Sequence, residues 1–358
     1  GDENLGERGI CWSSESEFPT THDNYLSADG YGAGSFFGDV EGLEAHTTYY
    51  FRAFIVGETG VNYSAVYQMD IGKAWREVQY SGAGYYYSVS FIDEFTGQVA
   101  GDNGFHYLTT DGGLTWTKIE HTLNSDIIVV QQMDYFTCYL IAGGGAGNYR
   151  KSTDGGNTWE NKSIGSIENL SGMHFITVDN GWIGSADESI FSTSDGGENW
   201  TETTISLPFG EGISDVFFVD LSTGFLCTNK SNVWKTLDGG SNWNQVSVTT
   251  QEPYGRSIHF VDDNIGFMIA QEFLYKTTDG GINWTLNYQA ETAIYNLDFL
   301  DSQKGLLVGF NGTILRTSNA GENWTREYLE DTHSVFDVDY TSGEVAYGAG
   351  GSRVVKYH

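Results

Sequence analysis

The chain has 358 residues, 39% of them hydrophobic and 15% aromatic, which is enough to bury one large β domain and a smaller one. Its 48 acidic residues face only 17 lysines and arginines, and the formal charge is −31. Such a surface repels phosphate backbones and anionic lipids, so nucleic acid is excluded as an expected partner. The sequence contains no run of 18 apolar residues, which excludes a helical membrane span.

The three cysteines, Cys11, Cys138 and Cys227, fall in different parts of the chain without metal-ligand spacing. We therefore predict that they are buried small side chains, and we expect neither a metal nor a cofactor. The acidic, Lys-poor and Asn/Thr/Tyr/Trp-rich composition is typical of exported bacterial proteins. It predicts a monomer of the periplasm, the cell surface or the secreted fraction.

Residues 1–69 form the first predicted unit, in which alternating apolar residues and turn signals indicate an all-β segment. Leu43, followed by Thr47 and Tyr49 and then by the alternation of residues 50–54, resembles the tyrosine-corner segment of fibronectin type III domains. Residues 9–13 resemble a strand from the middle of such a domain. The resemblance implies a small β-sandwich segment in which the strands expected before Arg8 are missing, so that the domain is either truncated or has its open edge covered by the propeller. Because no Gly/Ser or Pro linker follows residues 64–70, we expect a stiff junction.

A repeat of the form Ser/Thr-x-Asp-x-Gly-x-x-Trp organises that remainder, residues 70–358. Its tryptophans lie 40 to 43 residues apart, a period typical of one four-stranded propeller blade per repeat. The paired Asp and Trp positions are Asp111 and Trp116, Asp154 and Trp159, Asp195 and Trp200, Asp238 and Trp243, Asp279 and Trp284, and, with asparagine in the Asp place, Asn319 and Trp324. A seventh, degenerate copy has Asp70 and Trp75 but lacks the Ser/Thr.

Each repeat contains four short β-rich runs, and its box joins the third run to the fourth. The Asp carboxylate can accept backbone N–H bonds in such a turn, glycine permits positive φ, and Ser/Thr adds a hydroxyl bond. The tryptophan is predicted to anchor the seam between blades, where its burial is worth roughly 3 kcal/mol or more against alanine. These roles are structural.

The two ends of the repeat region complement each other. Residues 335–356 supply three runs without a box, whereas Asp70 and Trp75 supply a box without a preceding blade. The sequence therefore predicts a seven-bladed β-propeller in which strand 75–80 is the fourth strand of the C-terminal blade. This pairing would remove the open sheet edges.

The box and its period resemble the Asp-box, or BNR, repeat. The single ring is similar to the photosystem II assembly factor family and to its bacterial relatives of unknown role. The resemblance, which covers roughly residues 70–358, implies a protein that holds a partner during assembly and uses an arginine-rich surface. This chain instead has eight scattered arginines. Sialidases, xyloglucan hydrolases and sorting receptors also carry the box, on the face away from their ligands.

Candidate ligand-binding residues are therefore sought on the opposite face, in loops that enter the first strands or join the second to the third strands. Aromatic side chains beside polar ones in such loops are typical of surfaces that bind glycans or peptides. The candidates are Tyr85, Tyr86, His121, Phe209, Tyr254, Arg256, Tyr288, Tyr328 and His333. They favour a non-catalytic binding or scaffold protein with a glycan or protein partner.

The alternative function is a glycoside hydrolase of the Asp-box propeller type, which needs two carboxylates about 5 to 10 Å apart across a sugar site. Adjacent acids such as Asp262 and Asp263 point to opposite faces of a strand or into solvent. Because no convergent arginine set and no tandem propeller is visible, the sequence assigns no catalytic residue.

Deletion of residues 354–358 is expected to lower the melting temperature by many degrees, because it removes the predicted partner of strand 75–80. Thermal denaturation followed by circular dichroism measures this change. An unchanged melting temperature would contradict the predicted pairing.

Overall fold

The structure is a computed structural model that describes residues 6–28, 40, 43, 47–57, 59–71, 75–80, 84–121, 125–143, 147–165, 169–248, 254–327, 333–341 and 345–357. The chain divides into two compact units, Gly1–Ala74 and Trp75–Tyr357. The described residues are almost entirely β-strand, with two short 3₁₀ turns at Asp102–Gly104 and Phe310–Gly312. The prediction of an all-β chain is confirmed.

The first unit contains one five-stranded antiparallel sheet in its described part. Its strands are β1 (Arg8–Ser13), β2 (Asn24–Ser27), β3 (Thr47–Gly57), β4 (Gly60–Tyr63) and β5 (Tyr67–Ile71). The order is β2-β1-β3-β4, and β5 also pairs with β3. Cys11, Tyr49 and Phe54 are buried here. A second sheet is not seen among these residues, so the fibronectin-like sandwich stays a prediction.

The second unit begins with β6 (Arg76–Tyr80) and continues with antiparallel groups of four strands, which we call sheets I to VII. The fourth strands of sheets IV and V also pair in parallel, so that these two groups form one eight-stranded sheet. Sheet I contains β7 (Tyr86–Phe91), β8 (Gly97–Gly101), β9 (His106–Thr109) and β10 (Thr117–Lys118). Sheet II contains β11 (Ile127–Gln132), β12 (Cys138–Ala142), β13 (Asn148–Ser152) and β14 (Glu160–Ser163). Sheet III contains β15 (Leu170–Phe175), β16 (Gly181–Ser185), β17 (Ser189–Thr193) and β18 (Thr201–Thr204).

The same pattern continues to the C-terminal strands. Sheet IV contains β19 (Ile213–Phe218), β20 (Gly224–Thr228), β21 (Val233–Thr236) and β22 (Asn244–Val248). Sheet V contains β23 (Gly255–Phe260), β24 (Gly266–Ala270), β25 (Phe273–Thr277) and β26 (Asn283–Gln289). Sheet VI contains β27 (Ile294–Phe299), β28 (Gly305–Gly309), β29 (Ile314–Thr317) and β30 (Thr325–Glu327). Sheet VII contains β31 (Asp337–Tyr340), β32 (Ala346–Gly350), β33 (Arg353–Tyr357) and β6.

Burial follows strand order within the sheets. The second strands are almost completely buried, whereas the described fourth strands are largely exposed. Close packing explains the glycine that opens most second strands: a Cβ on Gly266 would lie 2.6 Å from the ring of Phe260, closer than real contacts allow. This arrangement of four-stranded antiparallel sheets is that of a β-propeller.

The six complete boxes form the same hydrogen-bonded turn. In sheet V, the Thr277 hydroxyl donates to Asp279 Oδ1 at 2.9 Å and accepts the Gly281 N–H at 2.9 Å. Asp279 Oδ1 also accepts the Asn283 N–H at 2.9 Å. These bonds lower the pKa of the Asp279 carboxyl to about 2, the Asn283 backbone bond contributing most. The carboxylate is thus committed to the turn.

The degenerate seventh copy differs from the other six. Trp75 packs against Tyr357 of sheet VII and directly precedes β6, as five of the six other box tryptophans directly precede their fourth strands. The sixth, Trp284, is the second residue of its strand. Asp70, in contrast, lies in strand β5 opposite Thr48 of the first unit, and not in a turn of sheet VII. In sequence, the first compact unit ends at Ala74 and the second begins at Trp75. The expected domain bounds, 1–69 and 70–358, stay a prediction.

Neighbouring sheets are joined by a repeated contact that involves a lysine, a ring and a box. In sheet V, Lys276 lies over the ring of Phe267, its cross-strand neighbour, and donates to the Ala320 carbonyl in the box of sheet VI at 2.8 Å. Phe267 in turn stacks on Phe299 of sheet VI, with ring centroids 5.0 Å apart. The lysines that make this contact are Lys151, Lys235, Lys276 and Lys356.

Sheet III reaches the same kind of carbonyl with a different donor. Ser192 occupies the lysine position there, and the indole Nε1 of Trp182 donates to the Gly239 carbonyl at 2.9 Å. Trp182 also stacks on Phe218 of sheet IV at 3.5 Å between ring centroids. Trp182 therefore makes both the ring stack and the hydrogen bond that an aromatic residue and a lysine make at other seams.

Sheets I and II are joined by a polar network instead of a ring stack. Gln98 and Gln132 occupy the stacking positions and are hydrogen-bonded at 3.1 Å. Arg150 Nη1 lies 3.3 Å from His121 Nδ1, His121 Nε2 lies 2.7 Å from His106 Nδ1, and His106 Nε2 lies 2.8 Å from Gln98 Oε1. Since Arg150 can only donate, each neutral histidine must carry its proton on Nε2.

Sheet VII contacts sheet I in the manner of the other neighbours. Strand β33 pairs with β6, with Arg353 opposite Tyr80. Tyr347 stacks on Phe91 with ring centroids 3.6 Å apart and planes 3° from parallel, and Lys356 donates to the Gly112 carbonyl at 3.0 Å. The most distant parts of the second unit in sequence are therefore in direct contact.

Replacement of Lys276 by methionine is expected to lower the free energy of unfolding by about 1–3 kcal/mol, because the buried Ala320 carbonyl loses a charged donor while the aliphatic packing is kept. Urea denaturation measures the change. Lys118→Met is the matched control, since Lys118 only forms an exposed ion pair with Glu120. Equal effects of the two substitutions would contradict the proposed role of the contact.

Candidate functional site

The first strands of all seven sheets line a cavity of about 860 Å³. A repeated β-bulge shapes its wall: in β23 the register shifts between Gly255 and Ser257, and sheets I to VI share this irregularity. Because of the bulge, the side chains of both the second and the third residue of a first strand face the cavity. The next side chain that faces it is that of the fifth residue. The wall therefore has a mouth layer and two deeper layers.

The two deeper layers are mostly polar, and several of their polar side chains cross the seams between sheets. They accept hydrogen bonds from backbone N–H groups on the first strand of the next sheet, where a strand edge would otherwise leave these donors unpaired. The acceptor and donor residues are Ser88 and Val130, Gln131 and Phe175, His174 and Phe218, Asp215 and Ile258, Asp298 and Tyr340, and Asp337 and Val89. Between sheets V and VI, the Ser257 hydroxyl donates to Asn296 Oδ1.

Buried carboxyl groups give the cavity its electrostatic character. Burial raises the pKa of Asp215 to about 6 and that of Asp298 to about 7, although both accept backbone hydrogen bonds. Burial, reinforced by the charge of Asp298, raises the pKa of Asp339 well above its usual value. A fraction of these groups is consequently protonated at neutral pH.

An aromatic arc continues the deeper layer beside the acids. His174 stacks on Phe217 at 4.5 Å between ring centroids, and Phe217 lies 4.8 Å from His259. Burial lowers the pKa of His174 to about 4 and that of His259 to about 3, so both rings are neutral at pH 7. His259 Nε2 lies 3.9 Å from Asp298 Oδ1. One side of the layer is therefore acidic and the other side aromatic.

The mouth layer contains a continuous aromatic cluster with one cation. Phe336 contacts Tyr85, Tyr87 and Tyr295 at centroid distances of 6.0, 5.7 and 5.2 Å. Arg256 lies 4.3 Å from the centre of the Tyr295 ring. These side chains stand at the starts of first strands, opposite the box turns at the ends of third strands. We call these five residues the mouth cluster.

The structure brings some of the sequence-predicted candidates to this mouth. Tyr85 and Arg256 belong to the mouth cluster, and Tyr254 is exposed beside Arg256 at the cavity rim with a φ of 72°. Phe209 is fully exposed in the turn between β18 and β19, and His333 is exposed beside Gly351.

Three candidates lie elsewhere. Tyr86 is fully buried in the core between sheets VII and I, because the bulge turns it away from the cavity. His121 is committed to His106 and Arg150. Tyr288 lies in outer strand β26 and packs against the core between sheets V and VI. Tyr328 lies outside the described residues.

Sequence reasoning missed Tyr87, Tyr295 and Phe336 at the mouth and the acids below them. The run Val335-Phe-Asp-Val-Asp-Tyr340 carried the signal, since the alternation of Asp337 and Asp339 places both carboxyls on one strand face. Aligning the first strands of the repeats would have shown that this face is the cavity wall.

The described residues offer no group of three His, Cys, Asp or Glu side chains arranged to hold a metal ion. Across the same residues, no helix has the length and apolar character needed to cross a bilayer.

Comparisons with known proteins match part of the sequence to a named family. The model of the photosynthesis system II assembly factor YCF48 family matches residues 202–289. The photosystem II assembly lipoprotein Ycf48 of Synechococcus sp. (strain CC9902) is 25% identical over 104 residues, which are 26% of this chain and 31% of that protein. The matched stretch thus spans about a third of that relative.

Solved structures extend the likeness at the level of the fold. The structure of YCF48 bound to D1 peptide has a TM-score of 0.67 at 18% identity, and covers 81% of this chain and 98% of that chain. The GH74 xyloglucanase from Xanthomonas campestris has a TM-score of 0.63 at 16% identity, and covers 79% of this chain but 53% of that chain. At these identities the likeness shows the fold alone.

The stability of the Asp298→Asn variant relative to the wild type is expected to rise as the pH increases from about 5 to 8. The pKa of Asp298 is about 7 when folded and near 3.8 when unfolded, so the wild type loses stability as the pH rises through the folded value. The asparagine cannot ionise, and the variant escapes this loss. Melting temperatures across this pH range measure the difference.

Asp195→Asn serves as the control for this pH dependence. Hydrogen bonds, chiefly from Asn199, lower the pKa of Asp195 to about 2, so its contribution is complete above pH 5. Its difference from the wild type should stay constant between pH 5 and 8. A flat profile for Asp298→Asn as well would contradict the raised pKa.

Proposed function

We propose that this chain is a non-catalytic binding protein whose mouth cluster holds a segment of a protein partner. The observation that carries the proposal is the convergence of Tyr85, Tyr87, Tyr295 and Phe336 with Arg256 at the mouth of the cavity. Aromatic and arginine side chains are enriched among the residues that dominate the energetics of protein interfaces, because aromatic rings bury large areas and arginine presents several hydrogen-bond donors.

A closed ring of seven blades would make this mouth a rigid platform, and we include it in the proposal. The pairing of β33 with β6, the stack of Tyr347 on Phe91 and the bond from Lys356 to Gly112 support it. The last two contacts repeat between sheets VII and I what joins sheets II and III, IV and V, and V and VI. A binding surface assembled from sheets V, VI, VII and I needs this junction, since the mouth cluster draws on all four.

A protein segment is a better ligand than a glycan for two reasons. One similar solved structure is that of YCF48 bound to D1 peptide. In addition, Arg256 offers N–H donors beside an aromatic ring, a combination that suits peptide carbonyl and carboxylate groups. The proposal does not extend to photosystem II, since the family match covers residues 202–289 only.

The cavity acids fit a binding protein because their oxygens already serve the backbone. Asp298 accepts the Phe299 N–H at 2.9 Å and the Tyr340 N–H at 2.7 Å, and Asp339 accepts the Phe91 N–H at 2.6 Å. Such groups maintain the seams between first strands.

An extracytoplasmic location follows from the same proposal. The relative in Synechococcus is named a lipoprotein, and lipoproteins are anchored at membrane surfaces outside the cytoplasm. The acidic, lysine-poor composition agrees with this location. We propose the periplasm, the cell surface or the secreted fraction of a bacterium.

A glycoside hydrolase remains the second candidate because of one observation. Asp298, with a pKa of about 7, interacts electrostatically with Asp339 inside the cavity, and a carboxyl with a raised pKa is what a general acid requires. In that case the sugar would enter through the same mouth.

A displayed library of random peptides, selected on the purified protein, tests the binding proposal. Resynthesised peptides should bind the wild type and bind the Arg256→Ala/Phe336→Ala variant about tenfold or more weakly, because both anchors of the mouth are lost. Fluorescence anisotropy measures the affinities. Leu286→Ser, on exposed outer strand β26, is the control and should bind as the wild type does.

Glycan arrays and chromogenic glycosides test for outcomes that would contradict the peptide-binding proposal. Selective glycan binding without peptide binding would replace the proposed partner class. Turnover of a glycoside that Asp298→Asn abolishes, with the melting temperature retained, would overturn the binding function in favour of the hydrolase.

A further inference from the structure

On the box face, the turns of sheets I and II carry four exposed apolar side chains. Phe95, Leu114, Tyr135 and Phe136 are 52%, 74%, 59% and 66% exposed. Three of them lie in the hairpins that join first to second strands, and Leu114 lies in the box of sheet I. We call these four residues the box-face patch.

Within sheets I to VI, an aromatic residue at the position of Phe95 and Phe136 occurs only in sheets I and II. The positions that correspond to Phe95 and Phe136 hold polar residues in sheets III to VI: Asp179, Ser222, Asn264 and Gln303. Since the turn itself forms with polar residues there, the aromatic side chains are not needed for the fold. Exposed aromatic rings that do not serve the fold indicate an interaction surface.

The side chains of the patch are displayed on turns fixed by hydrogen bonds. The Phe95 carbonyl accepts the Gly112 N–H at 2.9 Å, and the Phe136 carbonyl accepts the Gly155 N–H at 2.8 Å. The Tyr135 hydroxyl donates to Asp93 Oδ2 at 2.6 Å, which links the two sheets. A partner therefore meets a preorganised surface and loses little binding energy to ordering it.

The surroundings of the patch are acidic. Hydrogen bonds lower the pKa of three carboxyls here: Asp93 accepts from Tyr135, Asp111 from Thr115, and Asp154 from Thr158. These carboxyls therefore stay ionised at neutral pH. Glu94 and Asp134 lie in the same turns. The neighbouring Lys356 directs its ammonium inward to the Gly112 carbonyl. An apolar centre with a negative rim complements a partner that is apolar and basic.

We propose that the box-face patch docks a basic amphipathic segment of a protein partner. Apolar side chains of the segment cover Phe95, Leu114, Tyr135 and Phe136, while lysines or arginines face the carboxylates of the rim. The patch is independent of the mouth cluster, which lies at the opposite ends of the strands. The protein then presents two surfaces of different chemistry.

Three labelled peptides of about 15 residues, long enough to form a helix, test this assignment. The first combines lysine and leucine on opposite helix faces, the second has serine in place of leucine, and the third has glutamate in place of lysine. The lysine–leucine peptide should bind tightest in fluorescence anisotropy. Equal affinity for the first two peptides would show that charge alone accounts for the binding, and would overturn the proposal.

Two double variants locate the binding. Phe95→Ser/Phe136→Ser keeps the backbone bonds of both turns and should weaken binding of the lysine–leucine peptide about tenfold or more. Leu221→Ser/Leu237→Ser removes two exposed leucines from the turns of sheet IV. This control variant should bind the lysine–leucine peptide within about twofold of the wild-type affinity. Identical effects of the two variants would overturn the assignment.

Sedimentation of the unliganded protein tests the competing occupant, a second copy of the chain. A dimer that dissociates in the Phe95→Ser/Phe136→Ser variant, while peptide binding stays unchanged, would assign the patch to self-association and overturn the proposal. Unchanged sedimentation together with the loss of peptide binding supports it.

Discussion

The contact between a strand and the box of the next sheet is the constraint on which the rest of this structure depends. Each sheet of the propeller is narrow and cannot bury both of its faces alone. A cation or an indole that crosses the seam to a glycine or alanine carbonyl fixes both the distance and the rotation between two sheets. Four of the nine lysines make this contact.

The repeat allowed the architecture to be predicted, because period, box and strand composition agree in every copy. The pairing of residues 75–80 with C-terminal strands followed from counting boxes, and the structure pairs Arg76–Tyr80 with Arg353–Tyr357. The box Asp at position 70 was predicted from spacing alone. Spacing cannot show that Tyr67–Ile71 finds a partner strand, Thr47–Gly57, in the first unit.

The site was less predictable for a geometric reason. Strict alternation cannot decide which of Tyr85, Tyr86 and Tyr87 faces the cavity, since a bulge falls between Tyr86 and Ser88. His121 presents a different difficulty: its ring is bound by His106 and Arg150, and the latter belongs to another sheet. Arg256 was found because its chemistry is conspicuous on a surface with few cations, whatever the exact register.

The seam between sheets I and II has a consequence for how the protein opens. Ring stacks tolerate small sliding motions. In the hydrogen-bonded chain from Arg150 to Gln98, by contrast, each side chain donates to the next in one direction. Breaking one of these bonds therefore leaves a buried donor and a buried acceptor unpaired. The bonds of this junction are thus expected to break cooperatively. We therefore expect this junction to be the border of a cooperative unfolding unit, so that amide hydrogen exchange differs between the strands on its two sides.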